Sequence, residues 1–540
     1  MEDRQILLTS YRKLLTSLMS DLLQQPINPR FIEALPADPI AANYPRQVHG
    51  ACYSRVETKA PSHPEMIHYS QVLLEEWGLN IADQEEFLRV VSGAKPYQDF
   101  IPYAMCYGGH QFGHWAGQLG DGRAINIADI LIHNQPMQLQ LKGSGPTPYS
   151  RTADGFAVLR SSIREYLCSE AMHHLGVPTT RALSLVKTGD LVMRDMLYNG
   201  NPAQEQGAVV CRTAPSFIRF GSFQIFASRG ETEVLRQLVD HTIEQHFPHL
   251  GTPSKETYLA FFQEVVTRTK DMIVHWQRVG FVHGVMNTDN LSVLGLTIDY
   301  GPYGWLEDYN PSWTPNTTDA QQSRYRFGNQ PNIAVWNLMQ LANALYPLID
   351  EAEPLQEILD GYKDAYLTDY HQMMCAKIGL DQTEKVEETI ITRLTQLLGQ
   401  SEQDMTLFFR ELSAIDSSDW TTFWQMLERT SYMKAHEMTP LHTQWESWHA
   451  SYRDLLLAEN QESNARRKKM NAVNPKYVLR NYMAQLAIDA AEQGDYTLVN
   501  ELYQMLRQPY NEQPQYEKWY TKRPEWARHK VGCSMLSCSS

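Results

Sequence analysis

Asp289, Asn290 and Asp299 stand within eleven positions of one another. Their carboxylate and carboxamide oxygens are hard ligands, suited to Mg²⁺ or Mn²⁺ held jointly with phosphate oxygens. A carboxylate next to such a site can also take a proton from an attacking hydroxyl. The same residue types also make an ordinary turn before a hairpin, so both readings stand at this point. Lys142 and Glu165, 23 residues apart, add a cation and a partner to orient it, although a surface Lys and Glu would look alike. Gly117-Gln118-Leu119-Gly120-Asp121-Gly122-Arg123 is no Walker A motif. Gly120 and Gly122 would still let backbone N–H groups approach a phosphate, with Arg123 as a forked cation, and a plain β-turn is the other reading. Asp154-Gly155 reads as a turn that becomes a nucleotide contact only by context. Arg212 and Arg219 lie seven residues apart, on opposite faces of an extended segment, so a shared role requires a bend, which Pro215 can supply. His110 and His114 are four apart, but the glycines around them argue against a helix and favour packing or hydrogen bonding over a metal pair.

Particular elements must position these groups. Met137 to Lys142 alternates strictly, as a half-buried strand with Gln138, Gln140 and Lys142 on its polar face. Ala157 to Leu175 has a helical apolar stripe with Glu165 beside it, and Gly176 and Pro178 stop it. Two more helices are expected at about 231–246 and 255–279, the second ended by Gly280. The apolar run Leu291 to Ile298 delivers Asp299 to Tyr300-Gly301-Pro302. The region 103–198 is rich in glycine and β-type residues, and beyond Gly230 the pattern is mostly helical, which predicts two lobes with a cleft between them.

Composition bounds the partners. With 43% hydrophobic and 20% charged residues the 540-residue chain is globular, and its net charge of −15 disfavours a nucleic acid or an anionic membrane as main partner. The basic run Arg466 to Lys469 reads as a solvated face. Seven cysteines (52, 106, 168, 211, 375, 533 and 538) without CxxC pairs indicate a reducing compartment, with Cys533 and Cys538 the one pair held open. No apolar stretch reaches 18 residues. The opening amphipathic pattern Leu7, Leu8, Tyr11, Leu14, Leu15, Leu18 suits neither a signal peptide nor a transit peptide, so the cytoplasm is expected.

The spacing of the first group resembles that of protein kinases, in which H-R-D-x-x-x-x-N is followed by a hairpin and D-F-G. His283 to Asn290 has the same length, and Asp299-Tyr300-Gly301 stands where D-F-G would. Val285 occupies the place of the usual catalytic Asp, and it can neither accept a proton nor bind a metal. Either the site is silent or Asp289 has taken over.

Tyr107 to Gly113, Gln118 to Arg123, Leu141 to Gly145, His283 to Asn290, Asp299 to Pro302 and Asn474 to Tyr482 together resemble the selenoprotein-O family of protein adenylyltransferases, from about residue 40 onward. The resemblance implies an α+β, bilobal protein-kinase-like fold, with a strand-rich N-lobe, a helical C-lobe and additional C-terminal helices. The expected division is 1-100 as an extension on the N-lobe, 101-200 as N-lobe, 201-455 as C-lobe and 456-540 as a C-terminal helical extension with a Cys-containing tail. It implies ATP bound flipped relative to kinases, with AMP passing to a protein Ser, Thr or Tyr hydroxyl and pyrophosphate leaving. By matching position, Lys142, Gly120, Gly122, Arg123, Asp154, Gly155, Arg212 and Arg219 would contact the nucleotide. Glu165 would orient Lys142, Asn290 and Asp299 would hold Mg²⁺ or Mn²⁺, Asp299 would also face the nucleotide, and Asp289 would accept the proton. A monomer acting on proteins is expected. UMP transfer from UTP with Mn²⁺, γ-phosphoryl transfer and a silent pseudokinase scaffold are the alternatives; Val285 counts against the second, and the metal-type residues against the third. Some relatives bridge a cysteine third from the C-terminus to one after the metal-binding Asp. Cys538 matches the first place, whereas Pro315 stands at the second.

Overall fold

The computed structural model describes residues 19–196, 199–381, 383–416, 418–533 and 535–537. The opening amphipathic pattern and Cys538 therefore lie outside the described residues, while Cys533 is a free, buried thiol. The protein is α+β, with strands concentrated in its front part and helices in its back part.

The front is an eight-stranded sheet. Its strands are β1 (Tyr53–Arg55), β2 (Glu65–Tyr69), β3 (Tyr103–Met105), β4 (Ala124–Ile132), β5 (Gln135–Lys142), β6 (Arg181–Arg194) and β7 (Ala203–Ala214). They run in the order β1-β3-β4-β5-β7-β6-β2, and the short strand Ala157–Val158 pairs onto β7. In the centre Lys142 lies opposite Ala124 on one side and Val210 on the other, and Gln140 lies opposite Arg212. A separate hairpin, Gly108–Gln111 with His114–Gln118, precedes β4. The glycines around His110 and His114 thus make strands, and the His110 ring packs against Trp115 (5.0 Å between centroids) and Trp336 (5.3 Å).

Strand β5 corrects the expectation of a half-buried strand, because its polar face is buried as well. Gln138 Nε2 donates to Tyr103 Oη (2.9 Å), and Gln140 Nε2 donates to Asp121 Oδ2 (3.3 Å). Alternation reports two chemically different faces; here the polar one meets other polar side chains instead of water.

Helix α1 (Leu159–His174) packs on this sheet and is buried on nearly every side. Helix α2 (Phe220–Arg229) opens the helical part ten residues before Gly230, earlier than its Phe-rich run suggests, because it is buried almost all round and carries little polar periodicity. Helices α3 (Thr232–His246) and α4 (Lys255–Val279) follow. Ser254 Oγ caps α4 by accepting from Thr257 N, and Gly280 closes it in the left-handed conformation. Helix α5 spans Gln330–Ile349. No helix among the described residues is long and apolar enough to cross a membrane.

The Asn474 to Tyr482 segment fastens the chain just beyond Asp299. Asn481 accepts from Trp305 N and donates to Trp305 O, both at 3.1 Å. Arg480 grips Asp404 through both terminal nitrogens (2.7 and 2.9 Å) and reaches Glu307 at 2.5 Å, all three side chains being buried. Truncating one member of such a cluster strands the others: Arg480→Ala is expected to cost about 3–5 kcal/mol. A urea titration checks this, and an unshifted midpoint would show that the two carboxylates find other partners.

Candidate active site

Lys142 ends β5 and reaches Glu165 of α1, Nζ to Oε2 2.5 Å. Glu165 is buried and the Lys142 side chain is 12% exposed; desolvation pushes the Lys142 ammonium below its ordinary pKa, against the pull of Glu165. The other Glu165 oxygen accepts from Arg212 Nη1 (3.1 Å), whose Nε donates to Gln140 Oε1 (2.8 Å). Arg212 Nη1 also meets Asp299 Oδ1 at 2.5 Å, and Arg219 Nη1 pairs with Asp299 Oδ2. The bend between β7 and α2 thus turns Arg212 and Arg219 onto one carboxylate. Burial would raise the Asp299 pKa, but Arg219, Arg212 and Lys142 outweigh it and hold the group well below the usual carboxylate range. Asp299 itself takes a left-handed φ of +57°, a conformation Asp tolerates better than most side chains.

His283 ties the two ends of the loop together. Its ring stacks on Trp276 and its Nε2 donates to Ile298 O (2.9 Å), while burial lowers its pKa. Between these ends, Asn290 donates Nδ2 to Val285 O (2.9 Å), which leaves Oδ1 as the atom open to a cation. Arg219 Nη1 holds the backbone of Asp289 through its carbonyl (2.8 Å). Burial pushes the Asp289 carboxyl up to about 7, and a hydrogen bond from its own backbone N–H and the Arg219 charge offset only part of this.

Gly120, Gly122, Arg123, Asp154, Gly155, Lys142, Arg212, Val285, Asp289, Asn290 and Asp299 line a single cleft of about 710 Å³, whereas Glu165 and Arg219 are buried and are not among its lining residues. That volume suits a ligand of nucleotide size. Five cationic and five carboxylate side chains line it together with the Asn287 and Asn290 carboxamides, an arrangement suited to a polyanion with its counter-ion.

Residues 43–507 match the sequence profile of the family described as Protein adenylyltransferase SelO. A protein of Flavobacterium johnsoniae named Protein nucleotidyltransferase YdiU is 57% identical over 519 residues, 95% of this chain and 99% of that one. Proteins with the same name from Rhodopirellula baltica and Aromatoleum aromaticum are 54% and 53% identical, each match covering 95% of this chain and 98% of the relative. The chain belongs to the SelO family. It is a transferase, a protein nucleotidyltransferase whose partners are a nucleotide and proteins.

The remaining SelO motif residues sit at the rim and roof of the cleft. Gly120 has φ +74°, and a Cβ there would lie 2.3 Å from the Tyr149 ring, so only glycine admits this packing. The backbone N–H groups expected to face a phosphate are already committed: Asp121 N donates to Met105 O (3.0 Å) and Gly122 N to Gly120 O (2.8 Å). What the loop turns toward the cleft is Arg123, which has no ion pair within the described residues. Asp154 is held by both terminal nitrogens of Arg194 (2.7 and 2.8 Å). Its carboxyl lies below the usual range because the Arg194 hydrogen bonds outweigh the effect of burial.

Several site residues escaped the sequence reading. Asp121 accepts from Met105 N (3.0 Å) and faces Arg219 at 3.9 Å; Tyr107 lies under the Arg219 guanidinium (4.4 Å); Gln111 approaches Asp289. Polar residues inside glycine-rich or alternating segments were the available signal, and they look like ordinary turn or surface residues until the chain closes over them.

Proposed function

We propose that the cleft transfers AMP from ATP to Ser, Thr or Tyr hydroxyls of proteins, within a bilobal kinase-like fold divided at about residues 100, 200 and 455. One observation carries the reading: Val285 stands at the usual kinase base position, and Asp289, beside Asn290, is the carboxylate that faces the cleft instead. Lys142, Arg123 and Arg212 on the cleft wall hold the phosphates, with Arg219 supporting them through Asp299 and Glu165 orienting Lys142. Gly120, Gly122, Asp154 and Gly155 shape the nucleotide's surroundings. ATP lies flipped, its α-phosphate toward Asp289. The acceptor hydroxyl gives its proton to Asp289 as its oxygen bonds to the α-phosphorus, and the bond to the bridging oxygen breaks, releasing pyrophosphate.

Asn290 Oδ1 and Asp299 fit Mg²⁺ or Mn²⁺ by donor chemistry. Among the described residues no group of three or more His, Cys, Asp or Glu side chains could hold a metal ion. When bound, the cation neutralises phosphate charge. The enzyme acts as a monomer in the cytoplasm, a compartment that suits the six free buried thiols among the described residues.

Incubation with ATP labelled at the α- or the γ-phosphate tests this. Label entering protein from the α-position only is expected. Entry from the γ-position only would establish phosphoryl transfer, a preference for α-labelled UTP with Mn²⁺ would establish UMP transfer, and no label under either metal would leave a silent scaffold.

A further inference from the structure

The two oxygens of the Asp289 carboxylate have unlike surroundings. Oδ1 is buried and has no hydrogen-bond partner. The backbone of the hairpin Gly108–Gln111/His114–Gln118 covers it so closely that a Cβ on Gly109 would lie 2.7 Å from this oxygen and 3.0 Å from Asp289 Cβ. Oδ2 accepts from Gln111 Nε2 at 3.4 Å, and Gln111 is the sole side-chain donor to this carboxylate among the described residues. Both residues line the cleft.

The hairpin is bolted to the loop on either side of Gln111. His110 N donates to Thr288 Oγ1 (2.8 Å). Phe112 N lies within reach of Asn287 Oδ1 (3.2 Å) and Tyr325 Oη (3.0 Å), and Tyr325 in turn donates to Asn287 Oδ1 (2.6 Å). Strand alternation turns His110 to the Trp115 and Trp336 side and Gln111 to the opposite, Asp289 side. The Cα of Gln111 is therefore set by the same loop that carries the residue it contacts.

We propose that Gln111 is a positioning residue for nucleotidyl transfer, its side-chain amide locking the Asp289 carboxylate so that Oδ2 meets the acceptor hydroxyl. The inference rests on the reading of Asp289 as proton acceptor. A terminal carboxylate torsion is soft, and beyond the residue's own backbone N–H, Gln111 is the one donor that reaches this carboxylate among the described residues. An amide suits the task because it orients without charge; an Arg or Lys there would lower the carboxylate's basicity. The 3.4 Å separation is long for a hydrogen bond, and the proposed role requires it to shorten in the reacting complex.

The test uses the full chain and four forms of it: Gln111→Ala, Gln111→Glu, Asp289→Asn and the double variant Gln111→Ala/Asp289→Asn. The readouts are the initial rate at which α-phosphate label from ATP enters the protein of one fixed bacterial lysate, the ATP KM and the melting temperature. Gln111→Ala is expected to lower kcat about 10–100-fold, the scale of a lost orienting partner, with KM for ATP unchanged. Gln111→Glu keeps the shape but repels the carboxylate, and falls at least as far. In the Asp289→Asn background Gln111→Ala adds nothing, because both changes remove one unit of function. A wild-type kcat in Gln111→Ala and Gln111→Glu, a rise in KM alone, or a fully additive loss in the double variant each overturns the proposal. Normal transfer by Asp289→Asn overturns the reading of Asp289 instead, so the two failures are distinguishable.

Discussion

Replacing Asp289 with Asn is expected to slow protein labelling from α-labelled ATP by about 10²–10⁴-fold, the range that a positioned general base supplies. Nucleotide affinity stays near that of the parent, since Lys142, Arg212, Arg219 and Asp299 are untouched. Stability should hold or rise. Asn has the same shape, and the residue replaced is a carboxyl whose charged form burial already disfavours, as its displacement to about 7 indicates. Loss of rate with retained affinity and retained melting temperature is a signature that misfolding does not produce. Transfer at the parental rate would falsify the base assignment, and Val285 would then have to be explained by a reaction that needs no base.

Asp299→Asn is expected to act on another step and to act more broadly. ATP binding measured calorimetrically with and without Mg²⁺ should lose its metal dependence, weakening by at least about 100-fold, the upper end of what even an outer partner contributes to a metal site. The same substitution removes the carboxylate that Arg212 and Arg219 share, leaving Arg212 with Glu165 at 3.1 Å and Arg219 with Asp121 at 3.9 Å. Stranding buried cations costs about 3–5 kcal/mol, so the unliganded variant should also melt earlier. If binding stayed metal-dependent, Asp299 would be a structural counter-ion to the two arginines and the cation would sit elsewhere. Together the two substitutions separate a residue that moves a proton from one that organises charge.

The kinds of element and the order of the chemistry were legible in the residues alone. Gly280 ended the helix expected at about 255–279, and the structure has it over Lys255–Val279, because an apolar period and a glycine terminator are local signals. The eight-residue loop from His283, followed by Asp299-Tyr300-Gly301, marked a candidate reactive segment because metal and phosphate chemistry admits few residue types at that spacing. Val285 alone redirected attention to Asp289. Other features depended on closure of the chain. Gln138 and Gln140 read as solvent-facing and proved buried, since alternation states that two faces differ and is silent on what each face meets. Arg212 and Arg219 point apart in an extended segment and converge only because β7 gives way to α2 between them. Gln111 and Asp289 are 178 residues apart, and no local pattern relates them. Covalent spacing and side-chain chemistry are properties of the string, so the sequence determined which groups could react. Their burial, their pairing and the direction in which each carboxylate oxygen faces arise from contacts distant along the chain, and those only the tertiary structure decided.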